Sequence, residues 1–588
     1  MGAALLRLAL LSAALLGAAA ASAQPAQTLH ALFAEYWEAT ARDIPEWATW
    51  RGDHRFDHRL SDTTPAARDA RDAQARQWLA QAQAIDRAAL NPTDRLSLDV
   101  FVHARAEEVA YQAFEGWRTM SLASDGGFQT ELPELLGVMP ADSVPQVEAV
   151  LARLAAAPRR IDEELYWLKR GIALGWVPPQ PVLQRVLAQI DAQLRSPADS
   201  NPWLEPLQRM GAQIPPATQA ALRQRGETLL REQVLPALQR LRDFVAGDYL
   251  AAAPADGALG RYPDGARVYA LLIAEHTTLP LTAQQLHDIG LREVARLQRE
   301  IEAAWRDSGF AGSLAQWLQH LNSDPQYFHR SGEELLVGYR DIAKRIDPEL
   351  PRLFAELPRI PYGVRGMPEH FDAGKAEYYE DPALDGSRPG WFNANLKAYA
   401  QRPVWGMPTL VAHETVPGHH LQIARAVELR ELPAFRRDLG FSAFVEGWAL
   451  YAETLGAELG LYPDAASRYG HLQMQIFRAA RLVVDTGIHA FGWRREQAID
   501  YLAATSGLDR DHCSAEVDRY TSSPGQALAY MTGQLKIIEL RDRAKARLGE
   551  RFDIRRFHDA VLDQGALPLP VLERSIDEWI AAEAAKPR

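Results

Sequence analysis

Apolar residues recur at three- and four-residue steps along most of the chain, the period of a helix buried on one face. Leu29, Leu32, Phe33, Tyr36 and Trp37 set this pattern over 29–41. It returns over 147–154, 161–174 and 179–194. Thr282 with Gln285 three residues later forms a capping box ahead of another such helix, 286–304. Strand-like alternation is scarce, and 390–396, behind the turn-rich stretch 382–389, is its best example. The stretches 196–202 and 251–264 have the composition of loops. The pattern predicts an all-α protein with a minor β-sheet.

Composition refines this picture at the ends of the chain and at its surface. The 588 residues are 47% hydrophobic, ample for a large core. Arg7 is the only charge ahead of the apolar stretch 8–21, and Ala21-Ser22-Ala23 satisfies the small-residue cleavage rule. Residues 1–23 are therefore expected to be a signal peptide, with a mature chain over 24–588 exported to the bacterial periplasm or medium. The run is short and Ala-rich, so a lasting membrane anchor is not expected. No Cys lies near the cleavage point to carry a lipid. The single cysteine, Cys513, excludes an internal disulfide and reads as a small buried residue, with metal ligation as the alternative. A net charge of −12 argues against nucleic acid or an anionic membrane as partner.

Candidate chemistry concentrates in 413–420, His-Glu-Thr-Val-Pro-Gly-His-His. A helix offers two imidazoles to zinc from positions i and i+4, with a Glu beside the first as base. Pro408 suits the first turn of such a helix, and Leu410, Val411 and Ala412 supply its buried face. Position 417, however, is Pro, and Pro417-Gly418 should bulge or break the helix. A two-residue bulge brings His419 to the i+4 place, whereas His420 stands at i+7, nearly in phase with His413. His419 is the preferred second ligand and His420 the alternative. A third ligand is available in 444–453, Phe-Val-Glu-Gly-Trp-Ala-Leu-Tyr-Ala-Glu. Glu446 and Glu453 share a helical face there, in apolar company that makes an unpaired carboxylate costly. Glu446 fits the third ligand and Glu453 a partner behind the ligands.

These segments resemble the bacterial domain of unknown function 885 family. Five further stretches carry the same resemblance: 263–265 with 276–278, Asp385-Gly386-Ser387-Arg388-Pro389-Gly390, 478–489, Tyr520, and 524–530 ending in Tyr530. They span nearly the whole mature chain, which implies one family-wide domain. More distantly, Phe444-Val445-Glu446 is similar to the third-ligand segment of thimet-type and carboxypeptidase Taq-type zinc peptidases. That likeness implies a helical fold, two-lobed around a deep cleft, holding zinc by two His and one Glu. This chain differs from them by the Pro417-Gly418 insertion and by Leu450 four residues after Glu446.

The expected activity is hydrolysis of a peptide, or a small amide, by a zinc-activated water with Glu414 as general base. Tyr520, Tyr530 and His489 are candidate donors to the developing oxyanion, with ordinary packing as the alternative for the tyrosines. Arg388, Arg478 and Arg481 are candidates to hold a substrate carboxylate. Arg478 and Arg481 alternatively pair with Asp485, which lies two turns and one turn along the same helix. Tyr378, Tyr379, Trp391 and Trp448 line a cleft or fill a core, and 390–396 is a candidate edge strand for an extended peptide. Two other functions compete: a zinc hydrolase of another amide or ester, and a non-catalytic periplasmic binding protein keeping the peptidase-like fold. Glu414 favours an enzyme, because a pure zinc holder has no use for a carboxylate beside its first His.

Overall fold

The chain is predominantly helical, with one small three-stranded sheet. The computed structural model describes residues 25–124, 126–367 and 376–587; the expected leader, 1–23, lies outside them. Helix α1 covers 25–43 and takes up the first apolar repeat. Helix α2 (Val144–Leu174) fuses two predicted segments and continues across Pro158. Its buried stripe, from Val147 and Val150 through Ile161 to Leu168, is unbroken, so packing outweighs the backbone bond that Pro158 removes. Helix α3 (Gln180–Arg195) follows Pro179 as expected. Helix α4 (Ala283–Asp307) opens on the predicted box: Thr282 Oγ1 accepts from Gln285 N–H at 3.2 Å, and Gln285 Oε1 accepts from Thr282 N–H at 2.9 Å. No helix among the described residues is long and apolar enough to cross a membrane.

The sheet comprises β1 (Tyr362–Gly366), β2 (Tyr378–Glu380) and β3 (Gly390–Ala394), in the order β1-β3-β2. β3 runs parallel to β1 and antiparallel to β2, with Phe392 opposite both Val364 and Tyr379. This corrects the expectation of an edge strand at 390–396, because that strand is the central one. Its Phe392, Asn393 and Ala394 are all buried, as a strand flanked on both sides requires. Both outer strands reach the cleft, β2 with Tyr378, Tyr379 and Glu380 and β1 with Arg365 and Gly366.

Six helices build the region around the candidate motif. They are α5 (Met407–Glu414), α6 (His419–Glu428), α7 (Ser442–Leu455), α8 (Ala465–His489), α9 (Arg510–Ser522) and α10 (Ala529–Leu548). Helix α8 is the pillar: every residue from Gln475 to His489 is buried, as expected of a helix enclosed on all sides. Helices α7 and α10 cross backbone to backbone. A Cβ on Gly447 would lie 2.4 Å from Gly533 Cα, and one on Gly533 1.8 Å from Ala443 O. Only glycines allow that approach, and it fixes the height of the neighbouring Glu446.

His558 locks this bundle to the preceding segment. Its Nδ1–H donates to Leu353 O at 2.8 Å, and Tyr451 OH donates to its Nε2 at 2.8 Å. Burial lowers its pKa to about 3. The unfolded chain therefore takes the proton first. The contribution of the neutral ring is whole above pH 6.5 and is lost as pH falls towards 3. Between pH 6.5 and 5 the loss is about 2 kcal/mol. Denaturation of the wild type and of His558→Gln at these two pH values should show their stability gap narrowing by that amount.

Candidate metal centre

Helix α5 begins with Pro408 in its first turn and ends at Glu414. The Thr415–Gly418 segment interrupts the helix, and α6 starts at His419. The Val416–Pro417 peptide is cis. Gly418 passes so close to α5 that a Cβ there would lie 1.9 Å from His413 O. Three bonds hold the turn. Thr415 Oγ1–H donates to Val411 O at 2.6 Å, His420 N–H to Thr415 O at 3.0 Å, and Trp448 Nε1–H to Pro417 O at 2.9 Å. Trp448 thus secures the interruption from α7 and is no cleft-lining residue.

The interruption brings His419 back beside His413, their ring centroids 4.8 Å apart and nearly perpendicular. Glu446 reaches in from α7: its Oε2 lies 3.7 Å from His413 Nε2 and 3.5 Å from His419 Nε2. Ligating atoms of His413, His419 and Glu446 all lie within 4.8 Å of one another. Ligands about 2.0–2.1 Å from a tetrahedral zinc stand about 3.4 Å apart, so the trio fits such an ion after small shifts. Glu446 Oε2 is buried without a hydrogen-bond partner among the described residues, which leaves its lone pairs available to an ion. Burial alone would raise the Glu446 carboxyl, yet the facing His413 and His419 rings hold it well below the usual carboxylate range.

Behind His413 stands Glu453, fully buried, whose Oε1 accepts from His413 Nδ1–H at 2.8 Å. That bond fixes the tautomer and turns the Nε2 lone pair towards Glu446. Gln475 Nε2–H donates to Glu453 Oε2 at 3.0 Å, and Gln534 Nε2–H donates to Gln475 Oε1 at 2.7 Å. Neither glutamine was legible beforehand, since single polar residues on apolar helices carry no spacing signal. Glu453→Gln is expected to weaken zinc binding by about 10- to 100-fold without removing it, measurable by competition with a chromogenic chelator.

Glu414 points into a cavity of about 2440 Å³ that His413, His419 and Glu446 also line. It has no hydrogen bond to a described residue, and burial pushes its carboxyl up to about 8, with Glu446 adding to the rise and His419 and Arg478 opposing it. The cavity runs between the helices that carry the site and the lobe containing α2 and α3, from which Gln184, Arg185 and Gln189 face it. Tyr378, Tyr379 and Trp391 line it, as one of their two expected placements had it.

Several expected site residues stand elsewhere. His420 is no ligand: its Nδ1 accepts from Tyr379 OH at 2.9 Å and its Nε2–H donates to Ile360 O at 3.1 Å, leaving no lone pair for an ion. Desolvation lowers its pKa to about 4, so it is a neutral structural bridge to the sheet. His489 is spent in the same way, between Leu259 N–H at 3.2 Å and Tyr520 O at 3.1 Å. Tyr520 does not reach the cavity, and its hydroxyl lies between Arg481 Nε, at 3.1 Å, and Glu516 Oε2, at 2.9 Å. Cys513 is buried apart from the trio.

Tyr530 does face the cavity, its ring parallel to His413 at 6.4 Å. Burial and the nearby Glu446 raise its hydroxyl's pKa, which keeps it a proton donor. Gln526 bridges Tyr530 OH, at 3.2 Å, and Glu446 Oε1, at 3.5 Å. Arg388 lines the cavity but is engaged by Trp50 O, Asp381 O and Glu380. Asp485 pairs with neither Arg478 nor Arg481. It accepts instead from Tyr269 OH at 2.6 Å and Gly525 N–H at 3.1 Å. Arg481 turns away to Glu516, at 2.9 Å.

A helical bundle with a His-His-Glu trio at the wall of a large cleft is the class defined by fold and site. The chain belongs to the family described as bacterial protein of unknown function (DUF885), whose model matches residues 45–576. Among solved structures, two similar ones are these. The "putative lipoprotein" from Colwellia psychrerythraea is 27% identical with a TM-score of 0.90, over 95% of this chain and 99% of that one. A "putative lipoprotein of unknown function" from Shewanella oneidensis is 18% identical with a TM-score of 0.70, over 94% and 99%. The latter likeness is one of fold. No curated protein matches the chain.

Proposed function

We propose that the protein is a zinc-dependent hydrolase, and specifically a peptidase, working outside the cytoplasm. One observation carries the reading: His413 Nε2, His419 Nε2 and Glu446 Oε2 converge beside an unpaired Glu414 on a cavity wall. Two imidazoles and one carboxylate form a donor set suited to zinc with a position left open. A zinc ion bound there would supply Lewis-acid chemistry, lowering the pKa of a water and polarising the scissile carbonyl.

The protein's own groups do the rest. Glu414 takes a proton from the attacking water and returns it to the leaving nitrogen, and its place on the cavity wall beside the trio suits that task. Tyr530 OH donates to the carbonyl oxygen as negative charge develops on it. Strand β2, whose Tyr378, Tyr379 and Glu380 line the same wall, stands where an extended peptide would lie. An extracytoplasmic setting is supported by the Arg7-to-Ala23 leader pattern and by the lipoprotein names of the two similar structures.

The test is metal analysis followed by digestion of a peptide library. About one zinc per chain is expected, and cleavage should stop on chelation and return with zinc. A zinc-loaded protein that hydrolyses esters or acyl amides but no peptide would replace the peptidase with another hydrolase. A chain that takes up no zinc would sink both.

A further inference from the structure

The cavity wall beside Tyr530 carries two arginines with donors to spare. Arg478 and Arg481 stand three residues apart on α8, both line the cavity, and each is only 5% exposed. The Arg481 guanidinium is stacked between two rings, 4.3 Å from Phe477 and 4.5 Å from Tyr530. Its Nε and Nη2 are taken by Tyr520 OH and Glu516, but Nη1 is buried with no partner among the described residues. Arg478 donates to Met474 Sδ at 3.1 Å and faces Glu453 at 3.9 Å, and its Nε likewise lacks a partner. Orphan guanidinium N–H groups in a buried wall are costly unless a ligand completes them.

Charge points the same way. Arg481 and Arg519 share one carboxylate, Glu516, at 2.9 and 3.0 Å, so one positive charge is left over. A stacked, preorganised guanidinium is the side chain best suited to grip a carboxylate. Its place also sets a length. The His413–Tyr530 and Tyr530–Arg481 separations, 6.4 and 4.5 Å, put the guanidinium no more than about 11 Å from the His413 ring. An extended peptide advances about 3.3–3.6 Å per residue. A carboxylate held by Arg481 is therefore no more than about three residues beyond a carbonyl placed at the trio.

We infer that Arg481, backed by Arg478, binds the free C-terminal carboxylate of short peptide substrates, so that the protein removes about one to three residues from the C-terminal end. This rests on the peptidase reading, and its test separates the two. The probes are a randomised pool of N-acetylated tripeptides with free C-terminal carboxylates and the same pool amidated at that end. The zinc-loaded wild type is expected to cleave the carboxylate pool about 10- to 100-fold faster, as charge-assisted bonds imply. Arg481→Met and Arg478→Met should each pull the carboxylate-to-amide ratio towards one, whereas mere damage to the fold lowers both rates and keeps the ratio.

Equal cleavage of both pools by the wild type overturns the inference, as does an unchanged ratio in both variants. If neither pool is cleaved, the peptidase reading fails and equilibrium dialysis against zinc-loaded Glu414→Gln decides the remainder. Preferential retention of the carboxylate pool upholds the arginine site on its own, and equal retention, or none, overturns it.

Discussion

Glu414→Gln is expected to lower peptide turnover by about 100- to 10,000-fold, the range a positioned proton-transfer group supplies, while zinc content stays at that of the wild type. The two halves of this result have separate physical sources. Glu414 contributes no atom to the His413, His419 and Glu446 trio, so the ligand set survives. It lies on the cavity wall with no hydrogen bond to a described residue, and burial pushes its pKa to about 8. An amide of the same shape keeps the packing and loses the proton acceptor. Single-turnover rates together with metal analysis on the same preparation check both halves. Turnover equal to that of the wild type would remove Glu414 from the chemistry.

The second large effect separates the adjacent histidines. His419→Ala is expected to weaken zinc by more than the roughly 10- to 100-fold of a loss behind the ligands, whereas His420→Gln should retain it. His419 Nε2 stands 3.5 Å from Glu446 Oε2. His420 has both nitrogens engaged, by Tyr379 OH and by Ile360 O. Its replacement should show instead as lost thermal stability, because the turn is tied to the sheet through that ring. Zinc titration and melting curves of the two variants read these outcomes directly, and zinc lost from His420→Gln alone would reverse the assignment.

Much of this was legible in the sequence, for identifiable reasons. Helices with an apolar stripe declare themselves through period, and Thr282 with Gln285 announced the start of α4. The metal trio was legible because Pro417 and Gly418 are extreme residues: one cannot continue a helix, and the other admits the close pass under His413. Glu453 was legible as a carboxylate in apolar company. The role of 390–396 was not, because a central strand and an edge strand of five residues read alike until the neighbours are known. Nor were the true partners of Arg481, His489 and Tyr520. These are chosen by elements far off in sequence, with Glu516 35 residues and Leu259 230 residues away. A helical spacing rule, which paired Arg481 with Asp485, sees only along its own helix.

The bond from Trp448 Nε1 to Pro417 O links the two halves of the ligand set mechanically. The indole sits two residues after Glu446 and grips the loop separating His413 from His419. Prising α7 outward therefore drags that loop along, and all three donors withdraw as one body. An ion held by a centre of this construction would leave only when that unit itself comes apart, in a single cooperative event. The rate at which bound metal is lost would then gauge how often the whole bundle opens.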